Sequence, residues 1–360
     1  MKTLLFPLAF VSALCLSKSH IYSQDIVWER SYGGKHAEYL MDVQPTADYG
    51  FILAGSSLSN KTGNKTDENR GDFDYWIWKM DESGELDWQK SFGGSGSDFL
   101  QSLKNTRDGG FILAGNSNSS NVTEKKGQND KKEKSRGGDD FWIIKLDAKG
   151  NEEWQKTIGG WGQEKLKTIC QTVDGGYIIG GSSSSHISGE KEENGFGNLD
   201  YWIVKLDKKG KIEWQKTFGG IYVDELRSLE QTKDLGYIVG GYSNSPKSGN
   251  KEKDNLGYGD YWVLKLDPKG EIEWQKVLGG DLDDQLSVVH QSYDGAYLLA
   301  GYSSSDATES RVIKGINGSD FWVVKLNEIG NVLWQEKYDI GDLDKLTSLV
   351  ENKDHSLLLG

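Results

Sequence analysis

Short apolar and aromatic runs alternate with Gly- and Asp-rich turns along almost the whole chain, and the runs come in sets of four. Between residues 159 and 220, KLKTICQT (165–172) leads through VDGG into GYIIGGS (176–182). A long polar loop follows, then DYWIVKLD (200–207), KKG and KIEWQKTF (211–218). Runs of this length, broken by Gly and Asp turns, predict antiparallel hairpins. In DYWIVKLD, Tyr201, Ile203 and Lys205 alternate with Trp202, Val204 and Leu206. Both sets are largely apolar, which predicts strands covered on both faces.

The set is repeated. The Asp-aromatic-Trp opening recurs at Asp74, Asp140, Asp200, Asp260 and Asp320, and a second Trp recurs at Trp28, Trp88, Trp154, Trp214, Trp274 and Trp334, at intervals of 60, 66, 60, 60 and 60 residues. A fixed period of this size marks a repeat architecture whose units bury a core only by stacking. Four-stranded sheets packed face to face around an axis are the blades of a β-propeller. Counting runs gives 23 strands, one short of six complete sets. The expected fold is therefore all-β, a β-propeller of six blades of four antiparallel strands over residues 25–360, with the strand around Trp28 completing the last blade. Stopping at Gly360, where other copies run on as GGSSSS or AGYSSS, also fits a truncated larger ring.

The turns sort the two ends of each blade. Asp147, Asp207 and their equivalents, each with a Gly three residues on, predict three-residue hairpins closed by a left-handed Gly. These turns and the DGG turns share one end, where Lys79, Lys145, Lys205, Lys265 and Lys325 are expected to expose their ammonium groups. The opposite end gathers the GG connections and the long loops 56–73, 116–139, 182–199, 242–259 and 302–319. Loops collected on one face, differing from copy to copy, are the better candidates for binding.

One constellation on that face is periodic. Four residues after the second position of each GG pair stands an acid: Glu38, Asp98, Glu164, Asp224, Asp284 and Asp344. In a ring they form an acidic circle at one mouth of the central channel. As a binding site it would take a cation or a polyhydroxyl ligand; as structure, each acid would cap the N–H groups of its own GG loop. The second role is favoured by repetition in every copy, and turn capping is likewise expected of the Asp opening each DYW run. No cofactor is required by this reading, and calcium is the one cation the carboxylates would suit.

Composition narrows the class. Lys2 followed by LLFPLAFVSALCL and a polar stretch reads as a signal peptide over residues 1–24. Its removal takes away Lys2 and Lys18 and no acid, moving the net charge from −13 to −15. Such an acidic chain is a poor nucleic-acid partner, and neither the N-terminal apolar run nor any other is long enough to span a membrane. Cys170 alone remains after processing, so no disulfide framework forms and the thiol reads as core filling. The histidines stand at non-equivalent positions, and no G-x-S-x-G motif or P-loop occurs.

DYWIVKLDKKGKIEWQKTFGG and DFLQSLKNTRDGGFILAGNSNSS resemble the repeats of secreted bacterial β-propeller proteins of the type IX secretion-associated group. The resemblance covers residues 26–360 and implies a propeller fold with export or surface display, and little about activity. The D-x-x-G-x-x-x-W unit is also similar to the Trp motif of quinoprotein propellers and to sialidase Asp-boxes, each offset by a residue. The adjacent cysteines of the first and the Arg triad of the second have no counterpart. The expectation is a monomeric, secreted or cell-surface, non-enzymatic module binding a glycan or protein through its loop-rich face. The alternative is a quinoprotein-like or glycan-active propeller enzyme.

Overall fold

A computed structural model describes residues 26–120, 129–305 and 318–360; the signal-peptide expectation falls outside them. Five four-stranded antiparallel sheets follow one another, over residues 38–92, 98–158, 164–218, 224–278 and 284–338, each with its strands in chain order. In the third, these are Glu164–Gln171, Tyr177–Ser183, Asp200–Leu206 and Ile212–Phe218. First strands of consecutive sheets pack beside one another, so the first strand is innermost and the Trp-bearing fourth strand outermost.

The expected count needs correcting. The sixth repeat contributes a two-stranded sheet, Leu349–Glu351 with Leu357–Leu359, and not a full blade. The compact body begins at Tyr32, and residues 26–31 contain no strand around Trp28. The physical reason is pairing: a fourth strand hydrogen-bonds only to a third strand, and the described residues of the sixth repeat form just two strands. The first blade records the same gap. Leu40 is 53% exposed, whereas its equivalents Leu100, Leu166, Leu226 and Leu286 are at most 1% exposed, each covered by the preceding blade.

Both-face burial holds as the pattern predicts. All seven residues of Asp140–Leu146, Asp200–Leu206 and Asp260–Leu266 are buried. From the second blade on, the Trp of each third strand lies on an aromatic ring of the preceding blade: Trp142 on Tyr75, Trp202 on Phe141, Trp262 on Tyr201 and Trp322 on Tyr261, at centroid separations of 4.7–5.1 Å. The outer-strand Trp88, Trp154, Trp214 and Trp274 are half-buried and reach the next blade, as Trp154 does to Tyr177 at 5.7 Å, whereas Trp334 is exposed. A buried Trp removes up to about 250 Å² from water, at most ~6 kcal/mol each. Aromatic contact between blades is therefore a principal source of cohesion.

The tight-turn end is as expected in backbone and different in charge. Asp207 Oδ1 accepts N–H groups from Lys209 and Lys211, and Gly210 closes the hairpin at φ 79°. The lysines do not expose their ammoniums. Lys205 Nζ sits 2.9 Å from both Asp174 of the DGG turn and Glu213 of the fourth strand, with its side chain 4% exposed. Lys79, Lys145, Lys265 and Lys325 each bind the equivalent turn acid. The strand length that separates these lysines from the far end also delivers them to the adjacent turn, where a carboxylate meets each one.

Candidate functional site

The opposite end is built on a frame of buried polar groups, most fully described at the junction of the third and fourth blades. The Gly219–Gly220 pair turns the chain from one blade into the next. Asp224 Oδ2 accepts hydrogen bonds from the Gly220 N–H (2.7 Å) and the Ser245 hydroxyl (2.9 Å). Asp200 Oδ2 accepts from the Phe196 N–H at 2.9 Å. Its other oxygen, Oδ1, packs on Gly219, where a Cβ would fall only 1.8 Å away. Glycine is thus required here by a carboxylate occupying the space of a side chain.

A cation completes the junction. Lys191, 1% exposed, hydrogen-bonds Thr217 and lies 5.3 Å over the Trp202 ring. Lys65, Lys131 and Lys251 occupy the equivalent loop positions and are also buried. Burial pushes the Asp200 carboxyl up to about 6, with the neighbouring Asp224 adding to the shift, and pushes Asp74, Asp140 and Asp260 up to about 7. The same desolvation brings Lys131, Lys191 and Lys251 down to about 8. These groups are structural ties whose charged forms are penalised by their surroundings.

The six periodic acids do occupy equivalent places, but they do not open onto a channel. Asp98, Glu164, Asp224 and Asp284 have no exposed surface, while Glu38 and Asp344 are half-buried. Each of Asp98, Glu164, Asp224, Asp284 and Asp344 accepts the N–H of the residue at the second position of its own GG pair, from Gly94, Gly160, Gly220, Gly280 and Ile340. Glu38 accepts hydroxyl hydrogen bonds from Ser57 and Ser59. Loop capping accounts for this geometry. Cys170 packs beside the core of the third and fourth blades, and burial pushes its thiol up to about 12.

The long loops are less individual than the sequence pattern suggests. Each begins with a Ser-x-Ser whose second hydroxyl bonds the junction acid, as Ser119, Ser185, Ser245 and Ser305 do. Each described loop Lys binds within its blade. The Gln of the W-Q-K run ties loop to strand, accepting the Trp202 indole N–H at 3.0 Å through Gln215 Oε1 and donating to the Glu190 carbonyl at 2.7 Å. The signal was present at Lys65, Lys131, Lys191 and Lys251, hidden by the polar variability around them.

Exposed on this frame is a set of apolar side chains that differ from blade to blade. Trp161 is 80% exposed and Tyr258 71%, with Ile187, Ile221, Tyr222, Phe196 and Leu256 also exposed. They are linked through the frame: the Trp161 N–H donates to Ser188 Oγ, the Ile221 N–H to Ser248 Oγ, and the Tyr258 N–H to the Leu282 carbonyl. Phe196 lies against Gly249 of the next blade's loop. This surface spans the third and fourth blades.

No family model matches the chain. Over 217 residues it is 25% identical to the Regulatory protein FlaEY of Caulobacter vibrioides, a match covering 57% of this chain and 23% of that protein; the chain spans about a quarter of its length. Among solved structures, Kuenenia stuttgartiensis hydrazine synthase superposes with a TM-score of 0.50 at 10% identity, covering 92% of this chain and 77% of that one. The fold is a β-propeller. A protein of unknown function from Bacteroides caccae has a TM-score of 0.45 at 13% identity, covering 86% and 82%. At these identities the likeness concerns architecture alone.

Proposed function

We propose that this β-propeller is a secreted or surface-displayed, non-enzymatic binding module that engages a glycan or protein through its loop-rich face. The observation carrying the reading is the exposed aromatic and apolar set around Trp161 and Tyr258, placed on a frame of repeated, buried polar ties. Aromatic side chains that remain in water while a rigid scaffold holds their backbone are suited to recognition. The titratable groups of the same face support the non-enzymatic half. Asp200, Asp224 and Lys191 are committed to loop N–H groups, hydroxyls and one another's charge, with no exposed surface from which to meet a substrate. Export rests on the residue 1–24 pattern and is part of the proposal.

The test is a glycan and protein array probed with the exported chain, followed by titration of the hits against W161A and Y258A. Both positions are exposed, so the thermal midpoint should hold while affinity falls by about tenfold or more per anchor. Unchanged affinity in both variants, or turnover of an arrayed glycan, would overturn the reading.

A further inference from the structure

The junction between the fifth blade and the sixth repeat breaks the pattern shared by the others. At four junctions a Cβ on the first Gly would fall 1.8–2.0 Å from an Asp Oδ1, at Gly93, Gly159, Gly219 and Gly279. Here that position is Asp339, followed by Ile340. A side chain now stands where the regular junction places a carboxylate oxygen, so Asp320 cannot take the usual seat. Instead Asp320, Asp339 and Asp344 bring one carboxylate oxygen each within 4.8 Å of one another.

Asp320 has no exposed surface; its Oδ2 meets the Lys337 ammonium, and its Oδ1 has no hydrogen-bond partner among the described residues. Among the described residues, three carboxylates gather around one ammonium, an excess of two negative charges. Asp344 is held by the Ile340 and Gly341 N–H groups, which its Oδ2 accepts at 2.7 and 2.9 Å. Asp339 is exposed, so water can complete a coordination shell.

We infer that Asp320, Asp339 and Asp344 form a binding site for a divalent hard cation, calcium foremost. Oxygen-only ligands and flexible geometry suit calcium better than magnesium, which dehydrates reluctantly. The Lys337 ammonium competes for the same oxygens and keeps the site weak, about 10⁻⁴–10⁻³ M, the range of extracellular calcium modules.

Calorimetric titration of the full chain with calcium chloride tests this, alongside thermal midpoints with calcium or magnesium at about 5 mM, where binding to the folded state raises the midpoint by mass action. One saturable calcium site is expected. D339G, which restores the repeat's glycine and should fold, loses about tenfold or more in affinity. K337M removes the competing charge and binds calcium as tightly or more tightly. No saturable binding by about 10 mM would sink the assignment, as would D339G binding like the parent chain or K337M binding more weakly.

Discussion

Replacing Asp200 by Asn tests whether the loop-rich face is held by carboxyl groups that resist ionisation. The burial that raises Asp200 to about 6 makes the folded protein hold this proton more tightly than the unfolded chain, where an Asp titrates near 3.9. Stability from this group is therefore fully present below about pH 4 and is lost as pH rises through about 6. A gap of roughly two units corresponds to about 3 kcal/mol at most. The pull of Lys191 toward the charged form is already contained in that gap, and about 1–3 kcal/mol is the expected range. Asn retains an oxygen for the Phe196 N–H and has no charge to bury. Denaturant unfolding at pH 4, 5.5 and 7.5 should show D200N gaining on the parent chain as pH rises. A difference between the two that stays constant across this range would refute the account. So would a parent chain that gains on D200N with pH, since that requires a stabilised carboxylate.

Three further substitutions probe the rest of the frame by thermal or denaturant unfolding. G219A pushes a Cβ into the space of Asp200 Oδ1 and should cost about 1–3 kcal/mol or more, with a less than additive loss when combined with D200A. W202A removes a fully buried ring stacked on Phe141 and should cost about 3–5 kcal/mol. L235G should stabilise by about 1 kcal/mol, because Leu235 has φ 69° where three other copies of this turn have Gly109, Gly175 and Gly295; a neutral or destabilising result would mean the side chain's contacts outweigh the backbone strain.

The sequence made the blade legible because its strongest signals are local. Apolar runs, D-x-x-G turns and a fixed period specify hairpins, and the hairpins specify a four-stranded sheet. The sixth blade was misjudged because strand identity was read from Trp28 alone, when a strand also needs a neighbour. The tight-turn lysines were misjudged for a related reason. Lys205 read as a surface residue whose charge seeks water, while Asp174, 31 positions earlier in the chain, is the partner that folding brings to 2.9 Å. The acids were placed at the correct end, and loop capping was the favoured role, but their burial depends on Ser-x-Ser hydroxyls from the following loop. No single-copy pattern exposes that pairing. The broken repeat at Asp339 was visible in the sequence; its meaning needed the 1.8–2.0 Å clearance measured at the regular junctions.

Where specificity resides follows from what the frame leaves free. The first Gly, whose missing Cβ leaves room for a carboxylate, and the acid, the Ser hydroxyls and the loop Lys, through their side chains, are fixed in identity at the regular junctions. The residue after the GG pair ties its backbone to the next loop at two junctions, the Trp161 N–H to Ser188 and the Ile221 N–H to Ser248. The side chains of Trp161 and Ile221 are exposed, and the other blades have Ser95 and Asp281 at the same place. The residue four before each junction Asp likewise supplies an N–H to the carboxylate, and Arg70, Arg136, Phe196 and Leu256 fill it. Of the two sets, the residue after the GG pair is the freer one at Trp161 and Ile221, since Arg70 and Arg136 use their side chains in ion pairs with Asp130 and Glu190. Grafting Trp161 onto the Ser95 position should therefore leave the blade stable. It should move or duplicate binding without rebuilding a loop, as surface substitutions away from packed or bonded groups stay within about 0.5 kcal/mol. A graft that unfolds the blade would show that the position carries structural weight after all.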